Sequence, residues 1–206
     1  MSFTKEKIYN LALSALLLSE EVIEISTSKS NNISILNRFY DIAFASTLQD
    51  LDLDSTSEPI TLELIEELGD DYNWDYVYKY PSNCIFLRRI KSSAVTDNKS
   101  THISKRVAQY EGQKAIFTNE YQAVAECIPK DLSLESLSPM AGLAVAYKLA
   151  ILSAPLAVGK GAKTLRKEIN DNYIIAKTEA QETDSLENFN YESDWQRSEF
   201  VEARLS

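Results

Sequence analysis

The chain has 206 residues, 44% of them hydrophobic and 25% charged, which describes a globular protein of one domain, or one domain plus an arm. Folding a chain of this length buries roughly 70% of the surface its unfolded form exposes, so neither a disulfide framework nor a metal is needed to hold it together. The net charge of -10 argues against a protein that works by neutralising nucleic-acid phosphates, and Cys84 and Cys127, far apart and without C-x-x-C spacing, read as reduced, buried thiols.

Thr4 is placed to cap a first helix running to about Leu18, with Ile8, Leu11, Ala12, Ala15 and Leu16 on one face. Leu11–Leu18 follows Lys5 and Lys7 as a signal peptide would, but Ser14 interrupts it and Ser19-Glu20-Glu21 stands where small residues would mark cleavage. Ser30 or Asn31 caps a second helix carrying Ile33, Leu36, Tyr40, Ala43, Phe44, Thr47, Leu48 and Leu51 at the helical period, which is lost in the alternation Leu51-Asp52-Leu53-Asp54. Ser55–Pro59 reads as a turn, and Ile60–Leu68 satisfies neither template well, with strand the preferred reading.

Trp74, Tyr76, Tyr78 and Tyr80 recur every second residue, which puts four aromatics on one side of an extended chain that Pro81 ends. Cys84–Ile90 resumes the extended run, and Lys91–Ser100 is a polar loop. Further strands fit Ser104–Tyr110, Lys114–Thr118 and Tyr121–Cys127, with Glu111-Gly112 as a hairpin turn. Ser138-Pro139 opens a third helix, cap then proline at the first helical position, whose alanines (Ala141, Ala144, Ala146, Ala150, Ala154) allow close approach of neighbours. Its apolar run, Ala141–Val158, carries Lys148 and Pro155 and falls short of the ~20 residues of a spanning helix. Together with the failed signal peptide, this gives the expectation of a protein used in the cytoplasm, away from membranes.

Gly159 and Gly161 break the third helix, and a fourth is expected over about 162–183, with Leu165, Ile169, Tyr173 and Ala176 on one face. From Glu182 onward the chain holds seven acidic and two basic residues, the composition of an extended acidic arm over 182–206. The expected architecture is therefore α+β: a helical bundle of about four helices (near 4–18, 30–51, 139–157 and 162–183) with a small central antiparallel β region near 60–127. One domain spans 1–181. Phe189, Tyr191, Trp195, Phe200 and Leu205 punctuate the arm as anchors, and Trp195, Arg197, Phe200 and Arg204 are the candidate partner-interface residues, since aromatic and Arg side chains dominate interface energetics.

Charge is unevenly placed: Asp50–Asp75 carries ten acidic residues and no basic one, whereas Lys79–Lys114 carries eight basic and two acidic. This fits solvated faces on one domain or head-to-tail contact between copies. Four chemical readings are weaker. Gly159-Lys160-Gly161-Ala162-Lys163-Thr164 lacks phosphate-loop spacing and reads as a helix-to-helix turn. His102, the single histidine, removes most metal sites and any nucleophile with its own imidazole base. Glu66, Glu67, Asp70 and Asp71 form an acidic run in which nothing marks one carboxylate as a catalytic acid. The tyrosines before Arg88-Arg89 could stack bases, a use that the net charge opposes. No catalytic, cofactor-binding or metal-binding residue is assigned. The alternatives to a structural protein are a monomeric protein-binding module, or an acid/base hydrolase or nucleotide-binding enzyme using Lys160 and Lys163.

The stretch Trp74-Asp75-Tyr76-Val77-Tyr78-Lys79-Tyr80-Pro81-Ser82-Asn83-Cys84-Ile85-Phe86-Leu87-Arg88-Arg89-Ile90 resembles the W-x-Y-x-Y-x-Y-P-x-[DN]-C-L-x-x-R-x-I signature of the tail tubular protein A family, the head-to-tail adaptors of short-tailed bacteriophages. Ile8–Leu16, the Ala-rich helix from Pro139 to Pro155, and the closing Asp194-Trp195 to Glu202-Ala203-Arg204 agree in order, so the resemblance spans nearly the whole chain. The chain departs from the pattern at Leu51-Asp52-Leu53, where members often carry a Trp, and in its longer Lys91–Ser104 loop. The resemblance implies a bundle with a small β region and a virion protein assembled in the bacterial cytoplasm. It further implies a ring of twelve copies between the portal protein and the tail nozzle protein, through which genomic DNA passes without sequence-specific binding. It implies no reaction and no cofactor.

Overall fold

The caps expected at three helix starts are all made in the computed structural model, which describes residues 3–26, 30–68, 73–92 and 103–187. The backbone N–H groups of Lys7, Asn32 and Ala141 donate to the side-chain oxygens of Thr4, Ser30 and Ser138, at 3.3, 3.1 and 3.2 Å. These open α1 (Lys5–Ala15), α2 (Asn31–Leu51) and α3 (Pro139–Ala157), and α4 follows over Ala162–Glu187. α3 lies at the centre and packs against the other three. Its small residues permit this: Ala141, Ala144, Ala146, Ala150 and Ala154 are all fully buried. In length and hydropathy α3 would suit a membrane span, but half of that span is buried inside the protein, where three other helices pack against it.

Two helix ends differ from expectation. α1 stops at Ala15 rather than Leu18 because Leu17 takes a left-handed φ of 59°, and the N–H groups of Leu17 and Leu18 return to the carbonyls of Ser14 and Leu13. That closing turn usually uses glycine, so the sequence gives no sign of it. α4 continues to Glu187, which places 182–187, expected in the acidic arm, inside the helical layer. The extra turn is fixed from outside. Gln181 Nε2 donates to the Leu51 carbonyl at 2.9 Å, and the Asp184 carboxylate accepts the N–H groups of Asp54 and Ser55 at 2.8 and 3.1 Å.

The β region lies where the sequence placed it, but it is divided into two sheets. Among the described residues seven strands form two antiparallel sheets: β1 (Glu58–Thr61), β7 (Ala123–Pro129) and β4 (Cys84–Ser92) in that order, and β2 (Leu64–Glu67), β3 (Tyr76–Lys79), β6 (Gln113–Thr118) and β5 (Lys105–Tyr110). Ile60–Leu68 is two strands, not one. The chain crosses between sheets at Leu62-Glu63, where the Leu62 N–H bonds to Ala123 in one sheet and the Glu63 carbonyl accepts from Lys79 in the other. A segment serving two sheets in succession has no single period, which explains its ambiguous pattern. Glu111 and Gly112, both with positive φ (47° and 79°), make the β5–β6 hairpin turn.

The three-stranded sheet lies between the helices and the second sheet. Ile128, Ile85 and Phe86 join the helical core, while Cys84, Leu87, Ile90, Ala123, Ala125 and Cys127 face a second core completed by Leu62, Tyr78 and Ile116. β7, covered on both faces, is buried at every residue except the half-buried Val124. The aromatic ladder is shorter than expected: Tyr76, Tyr78 and Tyr80 pack on this second core, whereas Trp74 precedes the strand and is not among its residues. Tyr78, almost fully buried, donates its hydroxyl hydrogen to the Glu120 carbonyl at 2.9 Å.

Gly142 provides a test of how tightly α3 is packed. A Cβ there would lie 2.6 Å from a ring carbon of Phe3. Gly142→Ala gains about 1 kcal/mol of helix propensity but displaces a buried Phe worth about 2 kcal/mol, so a net loss of about 1 kcal/mol is expected. Thermal unfolding should show a fall of about 2–4 °C, and in a Phe3→Ala background Gly142→Ala should instead raise the melting temperature by about 2–4 °C, because only the propensity gain remains.

Candidate functional site

The segment that carries the aromatic-proline motif ends on two consecutive arginines, and a bulge decides where they point. Leu87 is opposite Cys127 and Arg89 opposite Glu126, so Arg88 is the extra residue in β4. In a regular strand successive side chains leave on opposite faces. Here both reach Asp54: Arg88 directly, and Arg89 Nη2 at 3.0 Å. Arg88 also grips Asp52, through Nε to the carboxylate at 2.5 Å and Nη2 to the carbonyl at 2.8 Å. Asp52 is the residue at which α2 ends in a left-handed turn (φ 48°). The Arg88 side chain is only 12% exposed, so it works as an internal joint between sheet and helices.

Electrostatics agree with that geometry. Burial pushes the Asp54 carboxyl up, but the Arg88 hydrogen bond and the charges of Arg88, Arg89 and Lys91 outweigh it and hold the group below its ordinary range. Glu126, on the buried strand β7, is raised by burial and then drawn lower overall by Lys91 and Arg89. A second clasp joins three helices: Asp50 of α2 accepts from Lys148 of α3 at 3.0 Å and from Tyr173 of α4 at 2.8 Å. Its carboxyl is raised by burial but held low overall by those two bonds.

The oppositely charged neighbourhoods seen in sequence therefore meet in part inside one chain: Asp52, Asp54 and Glu63 pair with Arg88, Arg89 and Lys79, while Asp50 pairs with Lys148 of α3. One cluster of exposed cations stands at the start of α4 and in the turn before it. Lys160, Lys163, Arg166 and Lys167 surround an open groove of about 560 Å³, floored by Ile151, Pro155 and Ala162 at the α3–α4 corner. Among the described residues none of the four forms an ion pair. Farther along α4, Ile174 and Ile175 are 52% and 56% exposed, with Leu186 beyond them.

The other sequence candidates divide. Gly159–Gly161 is a single 3-10 turn joining α3 to α4, as the helix-to-helix reading expected. Glu66 and Glu67 lie exposed on β2, where Glu66 accepts from the Tyr110 hydroxyl, while Asp70, Asp71 and His102 lie outside the described residues. Trp195, Arg197, Phe200 and Arg204 also lie outside them. Among the described residues no group of three or more His, Cys, Asp or Glu side chains could hold a metal.

Cys84 and Cys127 are buried and reduced, and they are brought together. A hydrogen bond from Cys127, assisted by the Tyr80 hydroxyl 3.3 Å away and by nearby lysines, brings the Cys84 thiol down to about 7 against the opposing effect of burial. The same contact and burial push Cys127 up. Sequence reasoning missed this pair, the Asp184 contact and the Arg88 joint. Only the joint left a trace, in the acidic alternation after α2 and the double arginine.

No protein-family model matches the chain, and no curated protein matches it.

Replacing Arg88 with Met keeps length and apolar bulk but leaves Asp52 and Asp54 without their main partner. We expect a loss of about 2 kcal/mol and a melting temperature about 4–8 °C lower at pH 7. Because Asp54 and Glu126 titrate below their unfolded values, their stabilisation is fully present above the ordinary carboxylate range and is lost as pH falls below it through their lower folded values. The gap between wild type and Arg88→Met should narrow on going from pH 7 to roughly pH 3, as thermal melts across that range would show.

Proposed function

We propose that this chain is a non-catalytic structural subunit, the head-to-tail adaptor of a short-tailed bacteriophage virion. Its copies form a ring, twelve by the resemblance, seated between the portal protein and the tail nozzle protein. The ring extends the channel through which genomic DNA passes without sequence-specific contact. The observation that carries this reading is the Trp74–Ile90 motif. Its residues supply the second core (Tyr78, Cys84, Leu87, Ile90) and the joint to the helices (Arg88). The α+β architecture, helices around an Ala-rich centre with an inserted β region, is the one the resemblance implies.

The internal use of so much charge suits such a role. A subunit that sits in a ring needs a shape fixed before assembly, because any slack is repeated at every copy. The clasps at Asp50 and Arg88 supply rigidity between elements far apart in sequence. Outward faces then carry the contacts, with Trp195, Arg197, Phe200 and Arg204 the candidate anchors for the neighbouring ring.

Mixing the purified full-length protein with a purified portal ring and imaging the product by electron microscopy tests this. A second ring stacked on the portal is expected, and it should be lost with Trp195→Ala/Phe200→Ala in the full chain. A portal left bare by the unmodified protein would overturn the adaptor reading. Any truncation of the arm should begin at residue 188, because Asp184 holds the Asp54–Ser55 turn.

A further inference from the structure

Two outward patches of the helical layer carry complementary chemistry. The first is the groove at the α3–α4 corner, where Lys160, Lys163, Arg166 and Lys167 stand around Ile151 and Pro155. No acidic residue occurs from Pro155 to Lys167. Lys163, Arg166 and Lys167 occupy the first two turns of α4, where the positive end of the helix opposes cations. Helix stability therefore does not account for them, and an anionic occupant with an apolar tip would.

The second patch follows α1. Leu17, Glu20 and Glu21 line one open surface, and from Ile8 to Ser28 the chain holds three glutamates and no Lys or Arg. Leu17 is 82% exposed and sits at a φ of 59°, a conformation that suits glycine and strains a bulky residue. A leucine held in water against its own backbone preference is explained by a surface that it meets. That surface is not in the same molecule. α1 and α4 both pack on α3 and make no substantial contact with each other. Among the described residues no ion pair joins Glu20 or Glu21 to the α4 cations. A contact between unlike patches of identical chains runs head to tail, and it makes a ring when the rotation between neighbours closes.

We propose that the loop after α1 of one copy docks in the α3–α4 groove of the next, with Leu17 over Ile151 and Pro155 and the carboxylates of Glu20 and Glu21 against Lys163, Arg166 and Lys167. This deepens the adaptor reading by naming the surfaces that join its copies. It rests on that reading for closure of the ring, while the contact itself belongs to the free chain.

Sedimentation of the free full-length protein over a rising concentration series tests this. Wild type is expected to self-associate, and about 1 M salt to weaken the association. Lys163→Glu/Lys167→Glu, which spoils the groove, and Leu17→Gly/Glu21→Gln, which spoils the loop, should each weaken it by about tenfold or more. Mixed in equal amounts, the two variants should form one-to-one dimers and nothing larger, because each chain keeps one working half. Neither variant should melt below wild type, since glycine relieves the backbone at residue 17 and the groove variant removes cations from the positive end of α4. A lost contact therefore reports docking and not unfolding. Self-association that both variants leave intact, or a mixture that stays monomeric, would overturn the proposal. So would a wild-type chain that stays monomeric throughout; if that chain retards duplex DNA on a gel and the groove variant does not, the cations serve phosphates instead. A portal left bare by chains that still associate with one another would overturn the adaptor reading alone.

Discussion

One guanidinium ties the sheets of this protein to its helices across an otherwise apolar contact. Arg88 reaches from a bulge in β4 to the left-handed residue that ends α2 and to the turn after it, and the far end of α4 holds the same turn through Asp184. Without the bulge the two arginines would leave opposite faces and only one could reach Asp54. With it, one small polar region fixes the position of a strand, two helices and the start of β1. The same region explains why β7 can afford a buried glutamate, since Arg89 and Lys91 meet it from β4.

This use of charge changes how the acidic and basic stretches should be read. A segregated charge pattern in sequence suggests surfaces that attract one another across molecules, yet here Asp52, Asp54 and Glu63 find their cations within the molecule. Surface pairs contribute little individually. Arg88, 12% exposed and holding three groups at once, is of a different kind. Its value lies in fixing geometry between layers whose remaining contact, through Ile85, Phe86 and Ile128, is apolar and non-directional.

The helical layer was largely legible in the sequence, because each start carries a side-chain cap and each apolar face keeps the 3.6 period. Where a helix ended without glycine, as at Leu17, or was prolonged by a contact from a distant turn, as at Gln181 and Asp184, the boundary moved. The strands were legible as extended segments but not as two sheets, because Leu62-Glu63 changes partners in mid-run and nothing local records that. The Cys84–Cys127 and Arg88–Asp54 pairs depend on register and on a bulge, which single-sequence patterns do not encode. The candidate anchors in the arm were legible only as composition.

One contact has a bearing on how the protein is made. The hydrogen bonds from Asp54 and Ser55 to Asp184 join residues 130 and 129 apart in sequence, and α3, the centre of the helical layer, begins only at Pro139. During synthesis α1 and α2 emerge with their apolar faces uncovered and wait through the whole β insertion for the helix that shields them. Translation at 5–20 residues per second makes that wait about 5–20 s. The nascent chain is thus most exposed to aggregation and to chaperone capture after α2 has formed, and its release from that state coincides with the arrival of α3.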